Sequence, residues 1–344
     1  MRDSLSIFKD QLEIAFYAFA LLILVGFVLD ITSSFTIPFV MAIILYLLSS
    51  PFIDRLESKK IPHWAALLLV GLITAGVVTL LGLLAYSSVE MLAQGLPKYQ
   101  HRYQQIISFF TQISKKYPML KLEEIPSSLN LTDLSSFILS TMGSFVKFLT
   151  GLTLMFLFFA FMLVGKGNFE KKLNKLYDGA KGDRVKRITR EVEEKVYKYL
   201  WTKTLISLIT GFNTWLILLL FGVDFAFVWG FLTFVFNYIP NVGPIFITIP
   251  PLLIALLKFG KLLPVIFLLL FLALNHMVMG NFVEPRWMGK TLNLSPLLVL
   301  FSLIFWGWLW GVMGMLLSVP LLSIIKIVLE SFPETEKLAR LMES

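Results

Sequence analysis

Asn237, Tyr238 and Asn241 place three hydrogen-bonding side chains within five residues of an apolar stretch, and Pro240, Gly243 and Pro244 sit among them. Each proline removes a backbone donor and cannot occupy a regular helix interior, while Gly243 permits a tight turn. The run from Asn237 to Pro244 therefore reads as the tip of a helical hairpin. The flanking helix halves leave unpaired N–H and C=O groups there. Together with the three side chains, these could coordinate a small polar solute or a cation. The plainer alternative is that the amides only satisfy the broken backbone.

Two further groups carry potential chemistry. In the connector from Asn281 to Lys290, Glu284 and Arg286 could form an ion pair at a cytoplasmic gate, or Glu284 could exchange protons; a solvated loop anchored by Trp287 is the alternative. Downstream, Trp306, Gly307, Gly311, Gly314 and Pro320 combine aromatics with glycines that allow close approach or a turn. The tryptophans suit a membrane interface or, less simply, an aromatic wall for a ring-shaped solute. Asp224 and His276 complete the titratable candidates for coupling. Asn213, Asn275 and His276 lie in or near spans, where polar groups more often bond neighbouring helices than ligands.

Several function classes are excluded. The 344 residues contain no cysteine, which removes disulfide frameworks, thiolate metal sites and thiol nucleophiles. His63, His101 and His276 are scattered, without the spacing of a zinc hydrolase. Gly165-Lys166-Gly167 lacks the spacing of a phosphate-binding loop. The reading is therefore of a non-enzyme without catalytic set, metal or cofactor.

The elements that position these residues must be membrane helices. Hydrophobic residues make up 57% of the chain and charged ones 15%, with a mean hydropathy of +0.80, as in a polytopic membrane protein. Six stretches read as ordinary spans: Leu12 to Leu29, Phe35 to Ile53, Trp64 to Tyr86, Ser144 to Val164, Leu200 to Phe221 and Leu262 to Gly280. The first is too long for a signal peptide and reads as a retained span. Asp224 to Phe259 and Ser295 to Phe332 are longer still. Some 35 helical residues would reach roughly 50 Å against a hydrocarbon core of about 30 Å, so each is expected to be interrupted and re-entrant. The fold expected is all-α and polytopic, with about six full spans, two re-entrant hairpins, an external amphipathic region and a cytoplasmic basic helix.

Most of the 30 basic residues fall on the side that holds both termini, which the positive-inside rule makes cytoplasmic. The chain then divides into three scaffold spans (1–86), an external region (87–143), a fourth span (144–165), a basic interfacial helix (166–199), a transport core with two hairpins in inverted repeat (200–332) and a cytoplasmic tail (333–344). A gapless offset of 70 residues aligns Phe231 with Phe301, Val242 with Val312, Pro250 with Pro320 and Leu252 with Leu322, which suits such a repeat or chance likeness between apolar segments. Tyr99, Tyr103, Ile106, Phe110, Ile113 and Tyr117 recur at helical spacing in the external region. The segment Lys166 to Lys203 carries twelve basic and six acidic residues and suits anionic lipid headgroups rather than nucleic acid.

The Tyr238 to Pro244 run, the Asn281 to Gly289 connector with its Asn-x-x-x-Pro-x-x-x-Gly spacing, Leu294-Ser295-Pro296-Leu297, the Gly311 to Pro320 run and the Leu48 to Pro51 turn together resemble the autoinducer-2 exporter family of bacterial membrane permeases. The resemblance covers the whole chain in order. It implies a multi-pass inner-membrane protein, a homo-oligomer for which a pentamer is one expectation, that moves small molecules without ATP. Pro240, Asn241, Gly243, Pro244, Asn281, Glu284, Pro285, Gly289 and Pro296 would be the family's motif positions.

The leading expectation is a secondary permease or facilitator exporting a small polar solute, with autoinducer-2 a candidate. A sodium (lithium)/proton antiporter and a non-transporting membrane assembly protein are the alternatives. The partners expected are membrane lipid, a small-molecule or cation substrate and further copies of the chain.

Overall fold

The computed structural model describes residues 16, 17, 20, 21, 24–102, 104, 105, 108, 151–165, 180–240, 242–288, 293–333 and 335–343. Every regular element among them is helical. In chain order these are α1 (Ser33–Ser58), α2 (His63–Gly95), α3 (Gly151–Gly165), α4 (Ala180–Leu220), α5 (Ala226–Phe236), α6 (Val242–Phe259), α7 (Leu262–Val278), α8 (Glu284–Met288), α9 (Pro296–Glu330) and α10 (Glu336–Arg340). Among the described residues, six helical stretches are long and apolar enough to cross a membrane: Ser33–Ser58, His63–Arg102, Gly182–Leu220, Val242–Phe259, Leu262–Met288 and Pro296–Glu330.

The boundaries follow from local chemistry. After α1, Lys60 turns left-handed (φ 66°) and its N–H returns to the Glu57 carbonyl, a common helix stop. Pro62 then opens α2: its carbonyl accepts from the N–H groups of Ala65 and Ala66, and its own missing N–H costs the helix no bond. Helix α2 runs past Tyr86, where the third span was expected to end, to Gly95, and a tight helical turn from Leu96 to Tyr99 continues it. The rest of the expected external helix lies largely outside the described residues.

Two apolar clusters divide the molecule. Ala42, Ile53, Ala66, Val70, Met155, Phe159 and Leu163 join α1, α2 and α3. Leu218, Val223, Trp229, Ile247, Ile254, Leu268 and Leu272 join the end of α4 to α5, α6 and α7. A third cluster bridges them, with Leu47 of α1 and Val319 of α9 packed on Val196, Tyr199 and Leu200 of α4. Helix α4 is thus the spine: it is 41 residues long and packs against α1, α5, α7, α8 and α9.

Both long apolar stretches are interrupted where proline and glycine predict. Between α5 and α6 the helical hydrogen bonding stops at Asn237–Pro240, and a methyl group at Gly243 would overlap the Phe236 carbonyl. The far ends meet as well: Lys258 Nζ donates to the Gly222 carbonyl at 2.8 Å. In α9 the break is at Gly311, whose φ of 61° and ψ of −141° are open to glycine alone. Around it a methyl group at Gly314 would overlap the Trp306 carbonyl. Ser302 Oγ donates to the Ser318 carbonyl at 3.1 Å, and Lys326 Nζ to the Asn293 carbonyl at 2.8 Å. In each stretch the bonded positions nest about the break, so the two halves lie alongside one another. Asn241 and Gly289 fall outside the described residues.

Candidate functional site

Lys203, Ser207, Thr210 and Thr214 recur along α4 at spacings of three and four, which puts them on one helix face, and all four are buried. A polar stripe inside a membrane helix is costly unless every group finds a partner. The partners come from three different segments.

The first is the α5–α6 break. Asn237 Nδ2 donates to Ser207 Oγ at 3.0 Å, and the Tyr238 and Thr204 hydroxyls lie 2.7 Å apart. Asn237 and Tyr238 therefore turn their polar groups to α4 rather than to the broken backbone between α5 and α6. Ser207 lies 13 residues before Leu220, the end of α4, so the contact sits about 20 Å along the helix from that end.

The second is the connector. After α7 the chain makes one wide helical turn, Met279–Val283, that delivers Glu284 at the start of α8. Its Oε1 accepts from Lys203 Nζ at 2.6 Å. The Lys203 side chain is 4% exposed and that of Glu284 is 27% exposed, which leaves the carboxylate as the half that faces open space. The expected Glu284–Arg286 pair is thereby corrected. On a helix, residues two apart point away from one another, and Arg286 is exposed. The connector is also helical over Glu284–Met288 rather than a loop.

The third is α7. Asn275 Nδ2 donates to the Thr210 carbonyl and to Thr214 Oγ1, both at 3.2 Å, and Oδ1 accepts from Asn213 Nδ2 at 3.1 Å. This amide is saturated and binds α7 to α4, as expected of a polar residue between spans. The neighbouring His276 is partly buried with Nδ1 unpartnered.

The remaining candidates lie elsewhere. Asp224 is gripped by Lys258, Lys98 and Tyr99, and so ties the open end of the α5–α6 pair to the turn after α2. Burial raises its carboxyl, but the hydrogen bonds from Lys258, Lys98 and Tyr99 outweigh this and hold it well below the usual carboxylate range. Asn281 is exposed in the wide turn. Trp306 packs on Trp310 with ring centroids 4.6 Å apart, and Trp310 donates to the Leu29 carbonyl. The second break thus leans on the start of the chain and on α1. Gly307 packs beside Met315, Gly314 and Pro320 are buried, and Trp308 points outward at 79% exposure. Helix α9 reaches α4 at Val319, beside Tyr199 and Leu200, and again at Glu330, which pairs with Lys195 at 3.7 Å.

Tyr238 and Glu284 thus meet on one stretch of α4, and Asn237 joins them. Lys203, Thr204 and Ser207, which receive them, were not read from the sequence as site residues. Their signal was a three- and four-residue polar period inside an apolar helix. Lys203 was instead taken as the end of the basic interfacial segment.

Comparison with known proteins fits this architecture. The profile of the AI-2E family transporter matches residues 17–334. A Haemophilus influenzae protein with an inferred transport role is 32% identical over 353 residues, covering 99% of this chain and 98% of that protein. The AI-2 transport protein TqsA of Escherichia coli is 34% identical over 322 residues, covering 89% of this chain and 88% of TqsA. A Borreliella burgdorferi protein, also with an inferred transport role, is 28% identical over 323 residues, covering 93% and 88%. With six apolar helices of spanning length and a family match over nearly its whole length, this chain is a multi-pass bacterial membrane protein that belongs to the AI-2E transporter family.

Proposed function

We propose that the chain is a secondary permease or facilitator that exports a small polar solute, autoinducer-2 being the first candidate, across the bacterial inner membrane with both termini in the cytoplasm. The observation that carries the reading is the meeting of Asn237 and Tyr238 with Ser207 and Thr204. It sets uncharged donors and acceptors about 20 Å along a spanning helix, where polar groups survive only packed in protein or lining a wet cavity.

In this reading the α5–α6 pair and the two halves of α9 are re-entrant hairpins of an inverted repeat. The hairpin unit moves against a scaffold made by the first four spans. Glu284 and Lys203 form the gate on the cytoplasmic side, and a homo-oligomer, with a pentamer the first state to test, holds the scaffold still. The basic first half of α4 lies on anionic lipid headgroups. The name of the TqsA relative supports the choice of solute.

The test is flux from proteoliposomes of the purified protein, with and without imposed sodium and proton gradients. Autoinducer-2 movement that ignores both gradients and falls about tenfold in Asn237→Ala, the scale of one lost buried hydrogen bond, supports the permease. Gradient-driven cation exchange without autoinducer-2 flux would instead establish the antiporter, with Glu284 as its first residue to neutralise.

A further inference from the structure

Lys203 is the one charged side chain in the buried stripe of α4, and it is as buried as the hydroxyl groups around it. A lysine that deep is retained only where a carboxylate faces it, because an unpaired ammonium in apolar surroundings loses its proton or draws in water. Glu284 is that carboxylate, at 2.6 Å. The groups around the pair are Tyr199 one turn earlier on α4, Tyr238 from the α5–α6 break and, two residues beyond Glu284, the exposed Arg286. The hydroxyls and amide that follow along α4 are uncharged.

We infer that Lys203 determines the charge selectivity of the site: it is a built-in cation that neutralises Glu284, so that the site admits an uncharged polar solute and rejects monovalent metal cations. The chemistry is specific. A partly exposed carboxylate is a ready ligand for a small hard cation, and the lysine ammonium, 2.6 Å from Glu284 Oε1, occupies the position such an ion would take. The Lys203–Glu284 pair carries no net charge, and none of its energy needs to be supplied by an ion from solution. Removing the ammonium leaves a partly exposed carboxylate without its counter-charge, and sodium is the available replacement.

The inference rests on the permease reading for what passes through the site, but its test does not. Wild type, Lys203→Gln, Lys203→Arg, Glu284→Gln and the Lys203→Gln/Glu284→Gln double variant are purified in detergent. Thermal unfolding is then followed as sodium replaces N-methylglucamine at constant ionic strength. The expected result is no sodium response in wild type or Lys203→Arg, a saturable rise of several degrees in Lys203→Gln, and its loss in the double variant. Ligand linkage gives that shape, and a merely structural lysine does not.

If Lys203→Gln can be recovered only from sodium-containing buffer, the inference gains the same support. A Lys203→Gln protein that ignores sodium, or that is recovered in neither buffer, overturns it. So does a wild-type sodium response that Glu284→Gln abolishes. If wild-type liposomes show no autoinducer-2 flux while the sodium pattern holds, the permease reading fails and the charge assignment stands.

Discussion

The Lys258 ammonium donates to the carbonyl of Gly222, 36 residues earlier in the chain, and so fastens the open end of the α5–α6 pair. Lys326 does the same for α9 by donating to the Asn293 carbonyl, and both acceptors are left-handed, with φ of 66° and 43°. The two fasteners differ in burial. The Lys258 side chain is 38% exposed, whereas that of Lys326 is 6% exposed and also reaches Glu330 at 3.2 Å. Lys258→Met should therefore lower stability by about 1 kcal/mol, and Lys326→Met by roughly 3–5 kcal/mol, because the carboxylates of Glu330 and Glu343 and the Asn293 carbonyl all lose a buried ammonium. Thermal midpoints in detergent check the order, and equal losses would contradict it.

Asp224 should not be the group that couples transport to protons. Its carboxyl is depressed in the folded protein, so its contribution to stability is complete above the unfolded value near 4 and is lost only as pH falls through the still lower folded value. Between pH 5 and 8 the Asp224 carboxyl therefore stays ionised. Asp224→Asn is expected to lower the thermal midpoint by a similar amount across that window and to leave the shape of the flux–pH profile unchanged. A profile that flattens in Asp224→Asn would sink this assignment.

The breaks were legible because Pro240, Pro244 and Gly311 act through the backbone alone: a missing donor or a positive φ disrupts a helix whatever packs around it. The partners of the breaks were not legible. Which helix receives Asn237, and whether Glu284 meets Arg286 or Lys203, depends on contacts across 30 and 81 residues of chain. A charged residue at the head of a span also reads the same whether it is solvated or buried. Trp310 shows the same limit: the tryptophans of this run suited either a membrane interface or a solute wall, and only the fold shows that the Trp310 ring is buried and donates to the Leu29 carbonyl.

Gly314→Ala should be among the most damaging single-methyl changes in the chain. The added carbon would overlap the Trp306 carbonyl, a backbone atom that cannot swing away. Gly311→Ala adds no collision but forces alanine into a glycine-only conformation, at a cost of roughly 1–3 kcal/mol. Gly76 lies within α2 with nothing near its Cβ position, and Gly76→Ala should be neutral or stabilising by up to about 1 kcal/mol. Expression level and thermal midpoint of the three variants give the ranking directly. A benign Gly314→Ala would mean that the two halves of α9 do not lie against each other.

The bonds Asn237–Ser207 and Tyr238–Thr204 sit one turn apart on α4 but should behave differently when cut. Asn237 is buried, and Ser207→Ala leaves its amide with a lost acceptor that water cannot easily replace. Stability should then fall by about 1–3 kcal/mol. Tyr238 is only partly buried, and Thr204 Oγ1 already bonds the Leu200 carbonyl, so Tyr238→Phe should unfold little. Its effect belongs to transport: if the hydroxyl lines the solute path, half-saturation for autoinducer-2 flux should rise about five- to tenfold, the scale of one hydrogen bond, while maximal flux changes less. Thr204→Val should reproduce part of that rise, and the double variant should show less than the sum because the two hydroxyls share one bond. Concentration-dependent flux in proteoliposomes separates the cases. A Tyr238→Phe protein with unchanged half-saturation and lowered stability would place that hydroxyl in the packing between α4 and the α5–α6 break, outside the path.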